Sequence, residues 1–291
     1  MSLSRLRSLA ALGLLIFSGA TLMAEELPVA VLHPLLGDLA QQVGGAQVRV
    51  LSLLQPGMEL HHFEPTTKDL AKLKGVRVVL ASGKNLESYI DKLRDSLGGT
   101  AEVVEIGATI PTVTVPGKGP DPHWWHNPVY MKRAAERIAR EFSRLDPPHE
   151  TLYHQNAEAA GKRLEDLKSW AELQIAKIPL QKRVLISAHN AFGYFCKEFH
   201  FQGISILGLA EEDEASTKDI SEAIRTIHDH HVTAVFPEDQ ANPKVLGEIV
   251  RDTGVKVGHS LDSDGTAASS GGTFEGMFRH NVESIVAGLS D

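Results

Sequence analysis

The sequence predicts an α/β protein of two similar lobes, each built on a parallel sheet, joined by one long rigid helix. Three observations predict it. Short β-branched runs alternate with helical patterns in the first part of the chain, the same alternation resumes after residue 180, and an extended apolar periodicity of three and four residues lies between them. The chain's 291 residues suffice for two domains of ordinary size, each with a core.

The first element stands apart from the fold. Arg5 and Arg7 precede an apolar run from Leu9 to Ile16, and small residues follow through Ser18, Gly19 and Ala20 to Ala24. This is the pattern of a secretory signal peptide over residues 1–24, cut after Ala24, and it falls short of the roughly 20 apolar residues of a membrane span. No cysteine borders the cleavage region, so the mature protein is expected to be free of a lipid anchor and retained in a periplasm.

The N-terminal α/β lobe, residues 25–145, carries strand signals at LPVAVLH (27–33), VRVLSLL (48–54), VRVVLA (76–81) and EVVEI (102–106). Its last element is an amphipathic helix opened by Asn127 as cap and Pro128 at the first position, with Met131, Ala134, Ala135, Ile138, Phe142 and Leu145 on one face. Asp146-Pro147 repeats that start signal for the connecting helix, 146–179, in which Ala157, Ala160, Leu164, Leu167, Ala171, Ile175 and Ile178 recur at helical spacing until Pro179. A helix of that length suits a strut better than a flexible linker. The C-terminal α/β lobe, 180–291, resumes with RVLISA (183–188), GISIL (203–207), VTAVF (232–236) and VKVG (255–258).

Charge excludes one class of partner. With 29 basic and 37 acidic residues the net charge is −8, and loss of Arg5 and Arg7 with the leader makes it −10, which disfavours nucleic acid. Cys196, the single cysteine, lies beside Phe192, Phe195 and Phe199 at helical spacing and is expected to be a packing residue.

Histidine is the unusual component, with 14 in the chain. His61 and His62 follow the second strand, His123 and His126 lie in DPHWWHNP, His189 directly follows RVLISA, and Asp264 lies in LDSDG after the last strand. Ligands of parallel α/β sheets bind at the carboxyl ends of strands, so these segments are candidates to converge. His33 ends the first strand and is a candidate to face the same cleft; the HDHH run at 228–231 closes a helix, where imidazoles meet the negative end of the dipole, and is expected to be a surface cluster.

PGMELHHFEPTTKDL, DPHWWHNP, SAHNAFGYF, AVFPEDQ and LDSDG, in that order, resemble the metal-binding proteins of ABC transporters, the family of ZnuA and TroA, over essentially the whole mature chain. The resemblance implies two α/β lobes with a metal site in the cleft between them, and it places the ligands on His61, His123, His189 and Asp264. His62 and His126 fall on positions that are not ligands in the family, and Asn127 stands where aspartate is usual. Three neutral imidazoles and a carboxylate suit Zn(II); manganese relatives usually carry a second carboxylate at the position of His189. The implied function is high-affinity zinc binding in the periplasm and delivery of Zn(II) to an ABC transporter permease, by a monomer that is not an enzyme. A manganese-binding homologue is the nearest alternative.

The segment ahead of the second motif, IPTVTVPGKGP, lacks the histidine-rich loop of many zinc members. Loop-lacking, AztC-like members receive zinc from a separate periplasmic zinc chaperone, which becomes a candidate partner. A zinc hydrolase is a further rival on residue types, but H-E-x-x-H, a nucleophile elbow and a phosphate loop are all missing. An adhesin-type surface protein is disfavoured by the expected lack of an anchor. Because each imidazole must be neutral to bind and its ordinary pKa is about 6.5, acid below that value is expected to displace the metal.

Overall fold

The computed structural model describes residues 26–54, 57–209, 216–238, 243–267 and 271–290, and the predicted signal peptide lies outside them. The first lobe begins with β1 (Leu27–Val31), α1 (Pro34–Gly44), β2 (Val48–Ser52), α2 (Thr67–Lys72), β3 (Val78–Ala81), α3 (Ile90–Leu97) and β4 (Glu102–Glu105). A short antiparallel hairpin, β5 (Thr114–Val115) with β6 (Gly119–Pro120), leads to α4 (Pro128–Leu145). The four longer strands form a parallel sheet in the order β2-β1-β3-β4. Its central strands, LPVAV and VVLA, are apolar along almost their whole length because helices cover both faces. At the edge, β4 is less buried, with Glu102 exposed and only Val104 fully buried.

The long helix is α5 (Glu150–Ile175), 26 residues and about 39 Å at 1.5 Å per residue. It starts later than its sequence signal suggests. Pro147 and Pro148 make a 3₁₀ turn through His149, and the Asp146 carboxylate, rather than capping backbone amides, accepts from the Tyr153 hydroxyl at 2.5 Å and bonds His149 Nδ1 at 2.7 Å. At the other end Arg183 donates to the carbonyls of Ile175, Ile178 and Phe199, meeting acceptors that a helix terminus leaves open.

The second lobe follows as β7 (Val184–Ser187), α6 (Gly193–Phe199), β8 (Gln202–Ser205), α7 (Thr217–His230), β9 (Ala234–Val235), α8 (Pro243–Thr253), β10 (Lys256–Val257) and α9 (Phe274–Leu289). β7 pairs with β8, β9 pairs with β10, and a parallel bridge from Ser187 to Phe236 links the two pairs. The order β8-β7-β9-β10 repeats that of the first lobe. The last two strands are shorter than the runs VTAVF and VKVG.

Each lobe has a private core on the outer face of its sheet, one around Ala30, Val79 and Leu93, the other around Ile186, Val235 and Ile249. A third core runs through the whole molecule. It joins β1, α1 and α4 to the Tyr153–Ala157–Ala160–Leu164–Leu167–Ala171–Ile175 face of α5, and from there to Phe195, Phe199, Phe278 and Ile285 of the second lobe. Packed interiors transmit displacement rather than absorb it, so this shared core ties the lobes to the strut. Cys196 lies in it, buried, and burial pushes its thiol up to about 12, as expected of a packing residue.

Candidate metal centre

The ends of the strands set the positions of the predicted residues. His61 stands in the loop after β2, His189 two residues beyond β7, and Asp264 beyond β10. His123 lies between β6 and α4, in a segment pinned by Asn127, whose Oδ1 accepts from the Val129 amide at 2.9 Å. The structure brings together donor atoms of His61, His123, His189 and Asp264, all within 4.8 Å of one another, two residues from each lobe.

Three of the spacings are compatible with a coordination shell. His123 Nε2 is 3.2 Å from His61 Nε2 and 3.4 Å from His189 Nε2, and His61 Nε2 is 3.7 Å from Asp264 Oδ2. Zinc–nitrogen bonds of about 2.0–2.1 Å at tetrahedral angles set donor–donor edges of about 3.3 Å. His123 and His189 are wholly buried, and the side chains of His61 and Asp264 are 9% and 8% exposed. Four nitrogen and oxygen donors brought together in a buried pocket can hold a divalent cation and leave little access for a second reactant.

Buried carboxylates orient two of the rings. Asp121 Oδ1 bonds His123 Nδ1 at 2.8 Å and also accepts the His123 amide at 2.9 Å; Glu238 Oε2 lies in ion-pair contact with His189 Nδ1, while its Oε1 accepts the His189 amide at 2.9 Å. Each carboxylate fixes the proton on Nδ1 and leaves the Nε2 lone pair pointing inward, the usual support for a metal-binding imidazole. Glu59 holds the third segment by accepting the amides of His61 at 2.8 Å and His62 at 2.5 Å. The Asp264 loop is tied by Gly265 N to Asp262 Oδ1 at 2.7 Å and by Asn281, which bonds both the amide and the carbonyl of Asp262. Gly265 has φ +68°, and a Cβ there would stand 2.3 Å from Leu35 Cδ2, so this turn needs glycine twice over.

Burial governs the electrostatics. It pulls the imidazoles of His61, His33 and His126 down to about 3 and that of His123 well below its ordinary value, with neighbouring histidines adding to the effect. It pushes the Asp121 carboxyl up to about 7, against the His123 amide that favours the ion. The imidazoles of His61 and His123 are therefore neutral at pH 7 and ready to bind a cation without first losing protons.

The other histidines divide as burial dictates. The His62 side chain is 56% exposed beside Glu59, and His228, His230 and His231 are exposed at the end of α7. His33 is buried and caps α1 through Nδ1, which accepts the Leu35 amide at 3.1 Å. His126, on a position where the family has no ligand, is buried as well, and its Nε2 bonds the Ser263 carbonyl at 2.7 Å. Sequence reasoning missed Asp121, although its place two residues before His123 was a signal; Asn281, from α9, offered none.

The family model for ZnuA, the periplasmic zinc-uptake complex component A, matches residues 29–288. The manganese-binding lipoprotein MntA of Bacillus subtilis is 32% identical over 91% of this chain and 90% of its own. The zinc-binding protein TroA of Treponema pallidum is 28% identical over 88% and 86%. The solved structure of the T. pallidum periplasmic zinc-binding protein TroA superposes with a TM-score of 0.83 at 27% identity, covering 92% of this chain and all of that one. With the two-lobed fold and the buried His₃Asp cluster, these similarities show that the chain belongs to the ZnuA family, the extracytoplasmic metal-binding components of ABC metal importers, which carry a cation and are not enzymes.

Proposed function

We propose that the protein binds zinc with high affinity through His61, His123, His189 and Asp264 and delivers Zn(II) to the permease of an ABC importer. The observation that carries this reading is the convergence of three imidazole nitrogens and one carboxylate within 4.8 Å. An imidazole-rich, four-donor shell ranks zinc well above manganese, which favours oxygen donors and more of them. Glu238 and Asp121, the buried carboxylates beside the cluster, lie against His189 Nδ1 and His123 Nδ1 instead. Similarity to a manganese-binding lipoprotein favours the second reading, a manganese carrier.

Competitive titration of the metal-free protein separates the two. Zinc is expected to bind at one tight site and to exceed manganese by at least about a hundredfold, in keeping with the ligand preferences of the two ions. Comparable affinities would establish the manganese reading.

The proposal includes action as a monomer, loading by a separate periplasmic zinc chaperone in place of a histidine-rich loop, and residence in the periplasm without a lipid anchor. Material from the periplasm is expected to have the intact mass of a chain starting at Glu25. A lipid adduct, or retention of residues 1–24, would refute that part.

A further inference from the structure

Two side chains of the segment that carries His123 reach across to the loop that carries Asp264, and they end on the same atom. Trp125 Nε1 donates to the Ser263 carbonyl at 2.8 Å, and His126 Nε2 bonds that same carbonyl at 2.7 Å. A carbonyl only accepts, so His126 carries its proton on Nε2. The His126 ring also lies on Phe192, centroids 4.5 Å apart, three residues after His189. His126, Trp125 and Ser263 are all buried. His126 thus touches two of the other ligand-bearing segments without itself standing among the converging donors.

We propose that His126, together with Trp125, is a positioning residue for the metal: the pair grips the Ser263 carbonyl across the lobe boundary and holds Asp264, the next residue, at its place in the coordination shell. The inference rests on the assignment of Asp264 as a ligand. A shared acceptor makes the geometry stiff, because rotation of the 263–264 peptide would break both bonds in a site where water cannot replace them. A carboxylate carried on a loop needs such support, since its own side chain has two free torsions. Groups of this kind commonly contribute tenfold to a hundredfold to metal affinity.

The test is a double-mutant cycle on the full mature protein, read as zinc affinity and zinc dissociation rate. His126→Leu keeps the apolar packing on Phe192 and removes the donor; it is expected to weaken binding about tenfold or more, chiefly through faster dissociation. His126→Gln, whose amide nitrogen reaches about as far as Nε2, is expected to restore most of that loss. In an Asp264→Ala background His126→Leu should have little further effect, because the grip then has no ligand to hold. An equal loss in both backgrounds would overturn the proposal, as would wild-type affinity in His126→Leu. Should His126→Leu fail to fold when metal-free, judged by circular dichroism, Trp125→Phe removes the other donor and must show the same coupling to Asp264. If Asp264→Ala alone leaves zinc binding intact, the ligand assignment fails, and that outcome is distinct from a failure of the grip.

Discussion

Replacing His123 with alanine is expected to weaken zinc binding by more than about a hundredfold. A structural zinc site contributes about 10–16 kcal/mol, so each of four ligands accounts for roughly 3 kcal/mol, or a factor somewhat above one hundred. His123 should exceed that share, because its loss also strips the buried Asp121 carboxylate of its imidazole partner. His189→Ala should behave alike, exposing Glu238 to the same penalty. His61→Ala should cost less than either, since its side chain retains some contact with solvent and water can enter as a substitute ligand. His62→Ala should be nearly silent, its ring being more than half exposed. Isothermal competition against a chromophoric chelator gives the order directly. A larger loss for His62 than for His61, or for His126→Ala than for His123→Ala, would move the register of the ligand segments and refute the assignment.

The fold was legible because it rests on local signals. The apolar runs of β1, β3 and β7 read as buried strands, and the spacing from Ala157 to Ile175 read as one face of a long helix. Where two signals competed, the start of α5 was misplaced: Asp146-Pro147 is a good helix opening in isolation, but the second proline and the claims of His149 and Tyr153 on the carboxylate delayed the helix to Glu150. The converging residues were legible from their family motifs at strand ends. What surrounds them was not. Whether His126 or His62 is buried depends on which face of a short loop meets the other lobe, and no local pattern encodes that. The grip on Ser263 joins residues 137 and 138 positions apart, and the tie from Asn281 comes from a helix that the motifs do not include.

Acid is expected to destabilise the metal-free fold and to weaken metal binding through one proton alone, where imidazoles of ordinary pKa would each compete for one. His33, His61 and His126 are held near 3 and His123 well below its usual value, mainly by burial. In the unfolded chain these groups take protons below about 6.5. The sign follows. Their stabilisation is complete above about 6.5 and is lost as pH falls toward 3, because the unfolded state binds the protons first. Asp121, and Glu87, which is buried after β3 and accepts the amides of Ser82 and Gly83, are both raised by burial to about 7 and oppose this by binding protons in the native state. Four groups against two leave a net of about two protons, hence a loss of about 2.7 kcal/mol per pH unit between roughly pH 6 and 4 for the metal-free protein. Zinc bound to the native state alone adds about 4 kcal/mol when free metal is a thousand times the dissociation constant. Mild acid should erode that increment through a single proton, since the native imidazoles of His61 and His123 remain unprotonated at pH 5. The one proton that zinc must displace is the one added to the Asp121–His123 pair below about 7, so affinity should fall about tenfold per pH unit between pH 7 and 5. Three solvated imidazoles would give a far steeper fall below 6.5. Competition titrations at pH 7, 6 and 5, with calorimetric melts of both forms, measure the two effects separately. A loss approaching a thousandfold per unit would show that the metal-free lobes stand open and that the histidines meet water before zinc arrives.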